Sequence, residues 1–101
     1  MTKKILNSYI LSNKADSDLD EIFDYTFDEH GFNQAVKYLS DLESLFWQLV
    51  KNPKLGRERR DLKNEILSIT EQGHTVFYRI HQDYILIVRV LHGNKDIPRS
   101  L

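Results

Sequence analysis

The spacing of apolar residues changes twice along the chain, and each change marks a new kind of element. In residues 5–12, Tyr9 and Leu11 alternate with Ser8, Ile10 and Ser12, and β-forming side chains dominate, which predicts a short strand. Ser12 is placed to cap a helix, because its hydroxyl can accept from the free N–H groups of a first helical turn. Leu19, Ile22, Phe23 and Thr26 recur at i, i+3, i+4 and i+7, one face of a helix whose acids line the opposite, solvated face. Gly31 stands where a helix C-terminus favours a left-handed residue. A second helix is expected over 33–50, its seam drawn by Ala35, Leu39, Leu42, Phe46 and Leu49 at alternating spacings of four and three. Asn52-Pro53-Lys54-Leu55-Gly56 stops it, since proline lacks the backbone N–H and pushes the preceding residue out of the helical region.

From Glu65 onward the period becomes two. Ile66, Ser68 and Thr70 alternate with Leu67 and Ile69; after a turn at Glu71-Gln72-Gly73, Val76, Tyr78 and Ile80 alternate with Thr75, Phe77 and Arg79. His81-Gln82-Asp83 forms a second turn before residues 84–92. That last strand is apolar on both faces apart from Arg89, which predicts an interior position covered on both sides for much of its length. A polar tail containing Pro98 comes after Gly93. The order strand, helix, helix, three-strand meander predicts a single α+β domain over residues 1–101, with an antiparallel helical hairpin against one face of an antiparallel sheet. The basic stretch before Glu65 reads as its one long connection.

Composition narrows the chemistry. With 101 residues there is room for one compact core. The absence of cysteine excludes disulfide frameworks, thiolate nucleophiles and Cys-ligated zinc, and it suits a reducing cytoplasm. The longest apolar run, residues 84–88, is far short of the roughly 20 residues that cross a bilayer, and Asn7 and Ser8 interrupt any signal-peptide core. A soluble cytoplasmic protein without a membrane partner is the expectation.

The net charge is −1, which offers none of the basic surplus of a phosphate binder. The charges are nonetheless segregated. Seven acids and no Lys or Arg lie between Ala15 and His30, whereas residues 51–63 carry six bases against Glu58 and Asp61. Helix-end preferences account for part of this; the alternative is a dipolar surface with one pole meeting a charged partner.

Catalytic signatures are missing: no phosphate loop, no His-Glu-x-x-His helix and no nucleophile elbow occur. His30, His74, His81 and His92 are too scattered for a local metal motif, and no cofactor or metal is expected. Arg79 and Arg89 lie in otherwise apolar strands, where an unpaired guanidinium is costly. Two accounts stand open. Each arginine pairs with an acid or reaches past the sheet edge, or both join His92 on one concave face and stabilise a partner's phosphate or carboxylate. Phe23, Phe27, Phe46, Trp47, Phe77 and Tyr78 read mostly as core, with one or two as an exposed anchor.

Taken together, several blocks resemble ParE-type toxins of the RelE/ParE superfamily, a group that includes plasmid stabilisation proteins. They are Tyr9-Ile10-Leu11-Ser12, Asp18-Leu19-Asp20-Glu21-Ile22 with Tyr25-Thr26, Asn52-Pro53-Lys54-Leu55-Gly56, His74-Thr75-Val76-Phe77-Tyr78-Arg79-Ile80, and Arg89-Val90-Leu91-His92-Gly93 with Asp96-Ile97-Pro98. The resemblance implies the same strand–helix–helix–three-strand fold and the toxin of a type II toxin–antitoxin system. It implies inhibition of DNA gyrase, blocked replication, bacterial growth arrest, and neutralisation by a ParD-like antitoxin with a ribbon-helix-helix DNA-binding part. Nucleic acid would then be met only through antitoxin or gyrase, without catalysis.

Toxins resembling RelE instead cut mRNA in the ribosome, using sheet cations and a tyrosine or His-Tyr pair near the last strand's end. Here His92 precedes Gly93-Asn94, with no tyrosine in that place. This runner-up activity would fall to Arg79, Arg89 and His92; a third reading is an inactive interaction module that keeps only the fold. For the gyrase reading, charge and strand position nominate Arg57, Arg59, Arg60 and Lys63 at the basic pole, and Glu21 and Asp24 at the acidic one, as partner-binding residues.

Overall fold

The computed structural model describes residues 6–93 and 101, so the first residue of the expected opening strand and most of the expected polar tail lie outside the described residues. The chain forms β1 (Ser8–Leu11), α1 (Asn13–His30), α2 (Phe32–Lys51), β2 (Arg57–Glu58), β3 (Leu67–Glu71), β4 (His74–Ile80) and β5 (Tyr84–His92). The strands make one sheet in the order β1-β5-β4-β3-β2.

Local chemistry explains the boundaries. The Ser12 hydroxyl accepts from the Ala15 N–H at 2.9 Å, capping α1, and donates to the Val88 carbonyl at 2.8 Å, fastening the start of the helix to β5. Gly31, at φ +88°, turns the chain between the helices in a region that disfavours other residues. Asn52-Pro53 ends α2.

The sheet corrects two expectations. It is mixed, not antiparallel, because β1 pairs parallel with β5, with Ser8 opposite Tyr84 and Leu11 opposite Ile87. Inside the stretch expected to be a plain connection, β2 adds an antiparallel edge strand to β3. The two corrections share a cause. A helical hairpin returns the chain to its starting direction, and β2, β3, β4 and β5 then alternate, so the fourth of them runs with β1. As expected, β5 is interior, between β1 and β4.

The main core fills the space between the hairpin and one sheet face. Ala15 and Ile22 of α1, and Tyr38, Leu42, Leu45, Phe46, Leu49 and Val50 of α2, pack on Leu67, Val76, Tyr78, Ile85, Ile87 and Val90. The opposite face is covered by a smaller cluster of Ile66, Phe77 and Leu101, joined by Leu62, Val88 and Leu91. The buried stripe of α1 differs from the expected one: it is Ala15, Asp18, Ile22 and Thr26, with Leu19 and Phe23 only half-buried. One acid thus sits on the face expected to be apolar.

Candidate partner-binding surface

That acid, Asp18, is matched by the arginine that the last strand carries inward. The Arg89 guanidinium donates from Nε to Oδ2 at 2.8 Å and from one terminal nitrogen to Oδ1 at 2.9 Å, while the buried Val90 N–H donates to Oδ2 at 2.9 Å. A planar fork meets a planar carboxylate, the geometry in which Arg–carboxylate bonds are strongest. Those hydrogen bonds to Asp18 raise the Arg89 pKa above its ordinary value. Of the two accounts, Arg89 obeys the pairing one, and its charge belongs to the fold.

The six other acids of α1, including Glu21 and Asp24, are exposed, and none joins an ion pair among the described residues. The basic pole divides in the same manner. Arg59 is only 8% exposed; it donates two bonds to Asp61 at 2.9 and 2.7 Å and a third to the Ser68 hydroxyl at 3.2 Å, and its guanidinium lies 5.6 Å from the Phe77 ring centre. Its hydrogen bonds hold the Asp61 carboxyl below the usual carboxylate range. Arg59, expected to face a partner, pins the basic segment to the sheet instead. Arg57, Arg60 and Lys63 are exposed; of these three, Arg60 has an ion-pair partner among the described residues, Glu58 at 3.4 Å.

The segment is held from its other end by Tyr78, which its spacing in the sequence assigns only to the core. The Tyr78 hydroxyl donates to the Pro53 carbonyl at 2.7 Å and accepts from the Gly56 N–H at 2.9 Å. A Cβ at position 56 would stand 2.6 Å from that hydroxyl and 2.7 Å from the Ser68 carbonyl oxygen, so glycine is required by the closeness of the clasp. Phe46 and Phe77 are also buried, whereas Phe27 and Trp47 are exposed.

The sheet face away from the helices carries two recesses, of about 450 and about 780 Å³. His92 lines the smaller with Arg57 and Thr75, and Arg79 lines the larger with Arg60 and His81. With Arg89 forked to Asp18, the runner-up set Arg79, Arg89 and His92 is split over three places. A different cluster gathers instead. The Tyr38 hydroxyl donates to the Glu71 carbonyl at 3.0 Å and lies 2.6 Å from His74 Nδ1, and the His92 ring meets the His74 ring edge-on at 5.3 Å. Burial, with Glu71 and Asp41 nearby, pushes the Tyr38 phenol up to about 12; burial and then His92 push the His74 pKa down. Among the described residues no three metal-ligating groups converge, and no helix is long and apolar enough to cross a membrane.

A family model described as the ParE toxin of a type II toxin–antitoxin system, parDE, matches residues 9–97. The chain belongs to the ParE toxin family. Among curated relatives it is similar to toxin ParE1 of Mycobacterium tuberculosis, 36% identical over 94 residues that cover 92% of this chain and 96% of that one. It is also similar to toxin ParE1 of Caulobacter vibrioides, 31% identical over 96 residues, 95% and 99% of the two chains. A solved structure described as the chromosomal ParDE TA system from P. aeruginosa superposes with a TM-score of 0.75 at 21% identity, over 89% of this chain and 98% of that one, a likeness of fold. In this ParE toxin the two strand arginines of the runner-up reading are divided, Arg89 in an internal ion pair and Arg79 in a separate recess.

Proposed function

We propose that this ParE toxin arrests growth by binding DNA gyrase in the cytoplasm and blocking replication, with no chemistry of its own, and that a cognate ribbon-helix-helix antitoxin neutralises it. The observation that carries the non-catalytic half of this reading is the Arg89–Asp18 fork. A ribonuclease site needs cations and a proton donor focused on one phosphate. Here the half-buried Arg89 is neutralised by Asp18, while Arg79 and His92 line different recesses. Family membership supports the toxin role and the antitoxin partner. The charges left outside the fold, Arg57, Arg60 and Lys63 at one pole and Glu21 and Asp24 at the other, are the groups we assign to protein partners.

The test is a plasmid supercoiling and cleavage assay with purified gyrase, titrated with the toxin alone and with its antitoxin. Loss of supercoiling with accumulation of linear DNA, reversed by antitoxin, is expected. Unimpaired gyrase in the presence of folded, growth-arresting protein overturns the reading and directs attention to mRNA cleavage on ribosomes, with His92→Ala the first variant.

A further inference from the structure

The tip of the helical hairpin carries an aromatic strip that the core does not use. Phe23 and Phe27 stand one turn apart on α1, and Phe32 begins α2 across the Gly31 turn. Their three ring centres lie 6.2, 6.3 and 6.4 Å apart, with Phe32 edge-on to both others. Val36, one turn beyond Phe32, is exposed as well. Three rings could simply staple the turn, but a staple hides most of its surface. Here Phe27 remains 46% exposed and Phe32 59%. Clustered exposed apolar side chains on a small domain mark a surface that something covers.

The surrounding charge says what kind of partner covers it. Asp20, Asp24 and Asp28 repeat at i, i+4 and i+8, so their carboxylates form a ridge beside the Phe23–Phe27 ridge; Glu21 flanks it, and Glu29 adds a fifth carboxylate at the end of α1. All five are exposed, and none is in an ion pair among the described residues; Lys37 of α2 is engaged with Asp41 at 3.1 Å. An anionic membrane or a nucleic acid is repelled by such a rim. A second copy laid on the tip in the same manner brings the same acids against these. Two antiparallel helices, each exposing apolar groups one turn apart, offer ridges on which a third helix can pack.

We propose that the hairpin tip docks a cationic amphipathic helix of a protein partner, its apolar side chains seated on Phe23, Phe27 and Phe32 and its Lys/Arg flanks on the Asp20–Asp24–Asp28 ridge. This rests on the reading that the toxin works by binding proteins, and it needs no gyrase to test, so gyrase poisoning and tip docking can fail separately.

The probe is a fluorescein-labelled 18-residue peptide with Leu and Phe along one helical face and Lys/Arg elsewhere, set against a scrambled peptide of equal composition. Anisotropy at low and high salt should show binding that salt weakens, with the scramble about tenfold weaker or worse. Phe27→Ser with Phe32→Ser should weaken binding about tenfold at both salts. Asp24→Lys with Asp28→Lys should weaken it mainly at low salt. Amide shifts in an NMR titration of the wild-type chain should fall on the end of α1 and the start of α2, a readout that survives if the phenylalanine variant does not fold. Equal binding of the scramble, or shifts that map elsewhere, overturn the proposal. So does self-association, abolished by the phenylalanine changes, which would make the occupant a second copy.

Discussion

The acidic and basic poles of this toxin are built alike in one respect: each keeps one charge for itself and turns the rest outward. On α1, Asp18 faces inward and takes the Arg89 fork and the Val90 N–H, while Glu21 and Asp24, within two turns of it, stay in water. In residues 57–63, Arg59 folds back over Phe77 while Arg57, Arg60 and Lys63 stay exposed. Residue type does not separate the two groups; depth does. A charge withdrawn from water must be matched and hydrogen-bonded to be tolerated, and once matched it offers nothing to a partner.

The contrast can be broken most forcefully at the acidic pole. Asp18→Ala strands a half-buried guanidinium and a buried N–H together, and should cost about 3 kcal/mol or more in urea denaturation. Asp24→Ala should cost no more than about 0.5 kcal/mol. Equal losses would mean that the fork adds nothing to the fold. At the basic pole, Arg59→Ala removes packing on Phe77 and the bond to Ser68 and should cost about 2 kcal/mol. Arg60→Ala, whose ion pair is long and exposed, should stay within about 0.5 kcal/mol.

The smallest effect is at a site where burial disfavours charge. His74 has its pKa lowered from the ordinary 6.5, by burial and by His92, so the unfolded chain binds its proton more readily than the folded one. The stability this gives is complete above pH 6.5 and is lost as the pH falls below that value. Melting temperatures taken between pH 7.5 and 5.5 should therefore decline in the wild type and decline less in His74→Gln. A pH profile identical in the two proteins would remove His74 as the cause.

The elements visible in the sequence are those whose signal is local. Ser12, Gly31 and Asn52-Pro53 mark helix ends through the geometry of one or two residues, and the apolar run of β5 announces an interior strand without knowledge of its neighbours. What was hidden depends on partners far along the chain. β2 is two residues at a sheet edge, too short to show alternation, and without it the direction of β1 relative to β5 cannot be counted out. Asp18 was hidden by its type, although its spacing gave it away: it lies three residues after Ala15 and four before Ile22, squarely on the buried stripe. A strand arginine in need of an acid was the second half of that signal. Arg59 offered no such mark, since five other bases surround it in sequence and its place is set by contacts with Asp61, Ser68 and Phe77.

The parallel pairing of β1 with β5 bears on how the toxin comes into being. Ser12 reaches the Val88 carbonyl across 76 positions, and among the described residues β5 is the one strand beside β1. A growing chain therefore releases β1 and both helices long before it makes the strand that completes them, and closing so long a loop comes late in folding. Prematurely terminated synthesis leaves β1 unpaired and β4 open along one side, a fragment without the finished sheet. For this ParE toxin, the sheet order delays the assembled fold until translation is almost through β5.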